Sequence, residues 1–187
     1  MVAKDALVME EGIGEDLPFT IFGWRDGYLI IVAQLEPSLM KMDYSDRLQR
    51  VSFCCNLFRM GWQVDAITFM AEGYCSTNPD KTQGKPLDLL YAENEKAVSE
   101  CLTFTHCDEE GISLVMVSFT IGLGRVIHWG EATHQRQPDG LRDAQFPYAI
   151  SMALSQPVRQ KPEDEDDFFN TLTEGLISRG FNVESFE

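Results

Sequence analysis

Two turn signals do most to limit what this chain can fold into. Asp26-Gly27 stands between "FTIFGW" (19–24) and "YLIIVAQLE" (28–36), and Glu109-Glu110-Gly111 stands between "CLTFTHCD" (101–108) and "ISLVMVSFTI" (112–121). An Asp-Gly pair supplies the positive-φ residues that a tight two-residue hairpin turn needs, so the first pair predicts a β-hairpin and the second stretch predicts another. Residues 28–36 are apolar on both strand faces, which places them inside a sheet. The long apolar run 112–121 is expected to be central in it.

Between the hairpins, "SDRLQRVSFCCNLFRMGW" (45–62) reads as a helix. Ser45 can cap it and Gly61 can end it. Leu48, Val51, Cys55 and Phe58 make its apolar stripe, flanked by Cys54 and Leu57. "VDAITFMA" (64–71) is the next strand, with Ala66, Thr68 and Met70 on one face and Ile67, Phe69 and Ala71 on the other. A polar loop covers 76–86, and 87–100 predicts a short helix. After the second hairpin, Gly122 and Gly124 mark a bend or bulge before "RVIHWG", a further strand or the continuation of the same one. Residues 131–145 read as a long polar loop with a turn at Pro138-Asp139-Gly140.

Residues 146–156 fit a helix through Phe146, Ile150 and Leu154, and also alternate as a strand would. Their Ala, Met and Leu content favours the helix. A solvated linker comes next (159–167), then an amphipathic helix (167–181) with acids at its start, Phe168, Leu172 and Leu176 on its stripe, and Gly180 as its stop. These elements predict an α+β fold, a mostly antiparallel sheet built from two hairpins and further strands with helices on one face. The organisation expected is a loosely ordered acidic N-terminus (1–17), an α+β domain (18–158), and an acidic linker with a C-terminal helix docking on it (159–187).

Charge narrows the function. The chain has 15 Lys and Arg against 30 Asp and Glu, a formal net charge of −15. Residues 1–20 contribute −4 and residues 157–187 contribute −5, leaving −6 on the middle. Such a surface repels phosphate backbones and anionic membranes, so direct nucleic-acid binding and membrane binding are not expected. It suits a protein partner with a basic face. Mimicry of nucleic acid in a partner's basic groove is a sharper alternative, but the acidic ends serve solubility equally well. No apolar run reaches the roughly 18 residues of a membrane span, and the N-terminal stretch lacks a secretory pattern. Five cysteines, an odd number without C-x-x-C, read as free thiols in a reducing compartment, hence a cytoplasmic protein.

Catalytic motifs fail one by one. Gly122-Leu123-Gly124 lacks the third glycine of a dinucleotide loop, since position 127 is Ile127, and residues 125–130 read as strand. Gly84-Lys85 lacks the spacing of a phosphate loop, and Pro86 stands where a magnesium-binding hydroxyl is needed. Cys101 and Cys107 would lie about 20 Å apart on a strand, too far to share a zinc, and His106 would point to the opposite face. The same divergence separates Cys107 from His106 as a nucleophile–base pair. No G-x-S-x-G surrounds any serine. No cofactor and no metal are therefore expected.

One constellation remains. Glu72, His128 and Glu131 each fall near the end of an apolar strand, with Gly73 and Gly130 adjacent to them. Neighbouring strands in register would gather them for acid–base catalysis or a divalent ion, although polar residues also simply collect where strands meet water. Trp24 and Trp129 at strand edges, with Phe168 and Phe169 on the C-terminal helix, are candidate partner-binding residues. That helix can dock in its own chain or swap onto a second copy as a homo-oligomer. The preferred reading is a protein-binding domain in an assembly or a regulator. A small hydrolase or metal-dependent enzyme using Glu72, His128 and Glu131 is the alternative.

Overall fold

The computed structural model describes residues 17–39, 42–76, 98–121, 127–136, 145–158 and 165–186. Among them run seven strands and three α-helices: β1 (Thr20–Arg25), β2 (Tyr28–Leu35), α1 (Tyr44–Gly61), β3 (Ala66–Ser76), β4 (Val98–Asp108), β5 (Gly111–Ile121), β6 (Ile127–Arg136), α2 (Gln145–Leu154), α3 (Glu165–Ile177) and β7 (Phe181–Ser185). The strands form one antiparallel sheet in the order β6-β5-β4-β3-β1-β2-β7, so the fold is α+β. By its contacts the chain divides into two compact units. The larger holds β1, β2, α1, residues 66–70 of β3, the β4–β5 turn region 104–114, the helices α2 and α3, and β7. The smaller holds, among the described residues, Leu17 and the remaining lengths of β3 to β6 up to His134.

The first hairpin forms as its turn chemistry requires. Asp26 and Gly27 take φ of 53° and 79°, the left-handed pair of a tight turn whose twist matches the strands, and Arg25 pairs with Tyr28 across it. β1 also pairs antiparallel with β3, and β2 with β7. The second hairpin closes at Glu109-Glu110. There the Asp108 Oδ1 accepts hydrogen bonds from the backbone N–H of Glu110 (2.8 Å) and Gly111 (3.0 Å), an Asp side chain standing in for a turn carbonyl.

Strand alternation sorts the larger unit into a helix side and an open side. Ile21, Gly23, Ile31 and Ala33 point to α1, whose Val51, Cys54, Cys55 and Phe58 are fully buried. α1 also packs against α2 and α3. Phe69 stacks on Phe146 of α2 with ring centroids 5.0 Å apart, and Trp62 lies 5.5 Å from the Phe169 ring of α3. Trp24 and Thr68 take the other face of their strands.

Several expectations are corrected. α1 begins at Tyr44 with Asp43 flanking it and no side-chain cap bond, so Ser45 is inside the helix and does not cap it. Gly61 does not provide the left-handed stop either. Gln63 does, at φ 55°, while Gly61 is buried and a Cβ there would collide with the Leu172 side chain of α3. Its role is close helix approach. β5 is an interior strand, as expected, flanked by β4 and β6, but it lies one strand from the edge and β3 is the middle strand. Residues 131–136 continue β6 and are not loop. Their polarity reflects strand exposure, which a loop shares. Residues 146–154 are helical, as the residue preferences favour. β7 is an addition to the expected elements: Phe181 is buried and Val183 half-buried, an alternation too short to register in sequence. Residues 98–100 are strand. The loop at 77–86, the rest of the helix expected at 87–100, the acidic stretch 1–16 and the glycines at 122 and 124 lie outside the described residues.

Candidate functional site

The open side of the larger unit carries a cleft of about 680 Å3, lined by the two hairpin turns and the start of β3. Trp24, Asp26, Asp65, His106, Asp108, Glu109 and Glu110 form its walls, together with Gly27 and Ala66. Five carboxylates therefore meet one indole and one imidazole. The hairpins put them there: Asp26 sits in one turn, Asp108 to Glu110 make the other, and Asp65 leads into β3. Asp65 is fixed to the first turn because its Oδ2 accepts the Asp26 backbone N–H at 2.8 Å and its own N–H donates to the Trp24 carbonyl at 2.8 Å.

A hydrogen-bonded chain runs along the floor. The Trp24 Nε1–H donates to Thr68 Oγ1 (2.9 Å), and Thr68 Oγ1 lies 2.8 Å from His106 Nδ1. The His106 Nε2 is 3.4 Å from the Asp108 carboxylate. An indole nitrogen can only donate, so Thr68 Oγ1 accepts from it and still has a proton and a second lone pair with which to meet His106 Nδ1. The Asp108 carboxylate beside Nε2 can only accept, which in a neutral imidazole favours the proton on Nε2 with Thr68 donating to Nδ1. Thr68 is buried, with 9% of its surface exposed, so its hydroxyl belongs to the floor and is not an accessible nucleophile. Because its N–H is used inward, Trp24 offers the cleft its carbon surface. At the rim Glu110 pairs with Arg136.

The opposite face of β4 is chemically quiet. Burial pushes the Cys107 thiol up to about 11, an effect the Ser151 hydrogen bond partly opposes and the Asp108 charge adds to. Cys54 is raised by burial and then by Cys55, and Cys55 by burial and then by Cys107. These are protonated core thiols, poor nucleophiles and poor metal ligands. Cys54, Cys55, Cys101 and Cys107 are buried thiols outside any disulfide. Among the described residues no group of three or more His, Cys, Asp or Glu is placed to hold a metal ion.

Glu72, His128 and Glu131 take different positions in the smaller unit. The Glu72 Oε2 accepts the Leu17 backbone N–H at 2.7 Å, which ties an entering chain segment to β3. His128 and Glu131 are both exposed on β6, and their odd spacing sends them to opposite strand faces. β4 and β5 lie between β3 and β6, a separation of roughly 14 Å at ~4.8 Å per strand. The three side chains are not brought together. Of the candidate partner-binding residues, Trp24 lines the cleft. Trp129 is half-buried with its ring 5.6 Å from Phe119. Phe168 and Phe169 are half-buried on α3, where Phe169 meets Trp62 of its own chain.

Sequence reasoning missed Thr68, His106 and Asp108 as a group. Their signal was present in part: His106 and Asp108 share a strand face and end on a turn, and Thr68 is the one hydroxyl in an otherwise apolar strand start. The pairing that aligns β3 with β1 and sets Trp24 beside Thr68 is not written in any local stretch. No family model, no curated protein and no solved structure matches this chain.

Proposed function

We propose that this is a protein-binding domain, and that its acidic cleft receives a lysine- or arginine-bearing segment of a partner. The observation that carries the reading is the convergence of five carboxylates and the Trp24 indole on one concave surface. Clustered carboxylates raise the local concentration of cationic groups, and an aromatic face adds a cation–π contact. The net charge of −15 extends the same attraction beyond the cleft. A reducing, cytoplasmic setting suits the free buried thiols. No helix among the described residues is long and apolar enough to cross a membrane.

Titrating Trp24 fluorescence with octa-arginine tests this, in a protein carrying Trp62→Phe and Trp129→Phe. Saturable binding that weakens as salt rises is expected. The double change Asp26→Asn and Glu109→Gln should weaken binding about tenfold while leaving the fold intact, since Asn tolerates the left-handed turn position and Glu109 is exposed. Equal affinity in the variant would contradict the proposal.

A further inference from the structure

Histidine is the side chain whose charge changes under mild acidification, and His106 is the one histidine among the residues lining the cleft. Its ring touches both features that would receive a cation. Nδ1 shares the Thr68 hydroxyl with the Trp24 indole, at 2.8 and 2.9 Å, and Nε2 lies 3.4 Å from Oδ2 of Asp108. The other oxygen of Asp108 is engaged in the turn by the N–H groups of Glu110 and Gly111. The remaining charges come from every side. Asp26 belongs to the first turn, Asp65 leads into β3, and Glu109 and Glu110 belong to the second turn. Arg136 of β6 stands at the rim, paired with Glu110. Arg25 of β1 is turned to the helix side, where it donates to the Trp62 carbonyl at 3.3 Å. Ile112, Ser113 and Leu114 of β5, the strand beside β4, carry no charge.

We infer that His106 is a pH switch in the cleft floor, and that its protonation makes the cleft release cationic groups. This rests on the reading of the cleft as a receptor for a cationic segment. A neutral ring accepts the Thr68 proton at Nδ1, whereas a protonated ring donates from both nitrogens. Thr68 Oγ1 then accepts from Trp24 and His106 at once, and its own proton has to turn away within a buried site. The hydrogen bond beneath Trp24 thus reverses. At the same time a positive charge enters a cleft of five carboxylates and takes Oδ2 of Asp108 as its counter-ion. An arriving guanidinium or ammonium group loses one carboxylate partner and meets a like charge.

Titration calorimetry of octa-arginine into the full chain, at about pH 7.5 and about pH 5.5 and constant ionic strength, tests this against His106→Asn. Asparagine keeps an acceptor for the Thr68 hydroxyl and does not titrate. The carboxylates are common to both proteins, so each protein is compared with itself. On acidification the native Kd should rise about fivefold more than that of the variant. An equal rise in both would leave the carboxylates as the whole cause and overturn the inference. A second readout needs no ligand. In the free native chain, the Trp24 indole N–H signal should move with the same pH midpoint as the His106 ring carbons, because both side chains bond to one hydroxyl. An indole signal that stays still while His106 titrates also overturns the inference. Octa-arginine that binds at neither pH would remove the receptor reading of the cleft, and the indole signal alone would then decide the switch.

Discussion

Carboxylates gather in two regions of this molecule with different results. In the larger unit, Asp26, Asp65, Asp108, Glu109 and Glu110 share a cleft with His106 and Trp24. In the smaller unit, Glu72 lies on β3 and Glu131 on β6, with β4 and β5 between those strands. The first set lies at turns and strand ends, whereas Glu72 and Glu131, expected near strand ends, lie within β3 and β6. The difference is the connection. Tight hairpin turns hold neighbouring strand ends together, so acids at turns converge, and acids on strands that are not neighbours do not. A polar residue at a strand end thus becomes a candidate for chemistry only once its strand neighbour is known.

Four predictions sharpen or break this contrast, in falling order of effect. The largest concerns the buried side of β4, beneath the cleft. Cys54, Cys55 and Cys107 have thiol pKa values raised by burial above the ordinary 9.0, so the unfolded chain loses these protons at lower pH than the folded one. Their contribution to stability is complete below about pH 9 and falls as pH rises toward 11, at roughly 1.4 kcal/mol per pH unit for each group. Urea denaturation from pH 7 to 11 should show this loss. It should shrink in Cys107→Ala once the cavity cost at pH 7 is subtracted. A flat profile would mean the thiols titrate freely.

Next is Gly23→Ala, beside Trp24. A Cβ at Gly23 would come within 2.7–2.8 Å of Ile31, Phe58 and Val64, so the core must shift, at a cost of about 1–3 kcal/mol. The urea midpoint should fall and cleft binding should weaken with it. An unchanged midpoint would show that α1 can give way.

Third, Thr68→Val removes the acceptor for Trp24 and the partner of His106 with little change of shape. Stranding the indole N–H should cost about 1–3 kcal/mol. The His106 imidazole carbon signals should also lose their bias toward the Nε2–H tautomer. No change in tautomer would break the proposed chain.

The smallest effects belong to the other region. Glu72→Gln keeps an acceptor for the Leu17 N–H and should cost about 1 kcal/mol, the difference between a charged and a neutral hydrogen bond. His128→Ala and Glu131→Gln, both exposed, should each stay within about 0.5 kcal/mol of the parent. Coupling among these three in a double-mutant cycle would contradict their separation.

Much of the fold was legible because local chemistry encodes it. Asp26-Gly27 fixed one hairpin and Asp108 through Gly111 the other, while the spacing of Val51, Cys55 and Phe58 fixed α1. Alternation also gave the faces of Thr68 and Phe69 correctly. What failed depended on neighbours. β5 is interior as read but stands one strand from the edge, since apolarity does not fix a strand's place in the order, and β6 read partly as loop because an exposed edge strand has loop-like composition. Trp24 could be singled out as an edge aromatic, but its partnership with Thr68 and His106 required the β1–β3 register. Glu72, His128 and Glu131 looked alike in sequence for the same reason: strand order is a long-range property.

The most direct test of the cleft is a 15N-resolved NMR titration with octa-arginine, following the three indole N–H signals and the backbone amides. Trp24, Gly27, His106 and Glu109 should shift together and saturate, while Glu72, His128 and Glu131 stay in place. Shifts centred on β6, or spread evenly over the acidic surface, would contradict the cleft as the binding site.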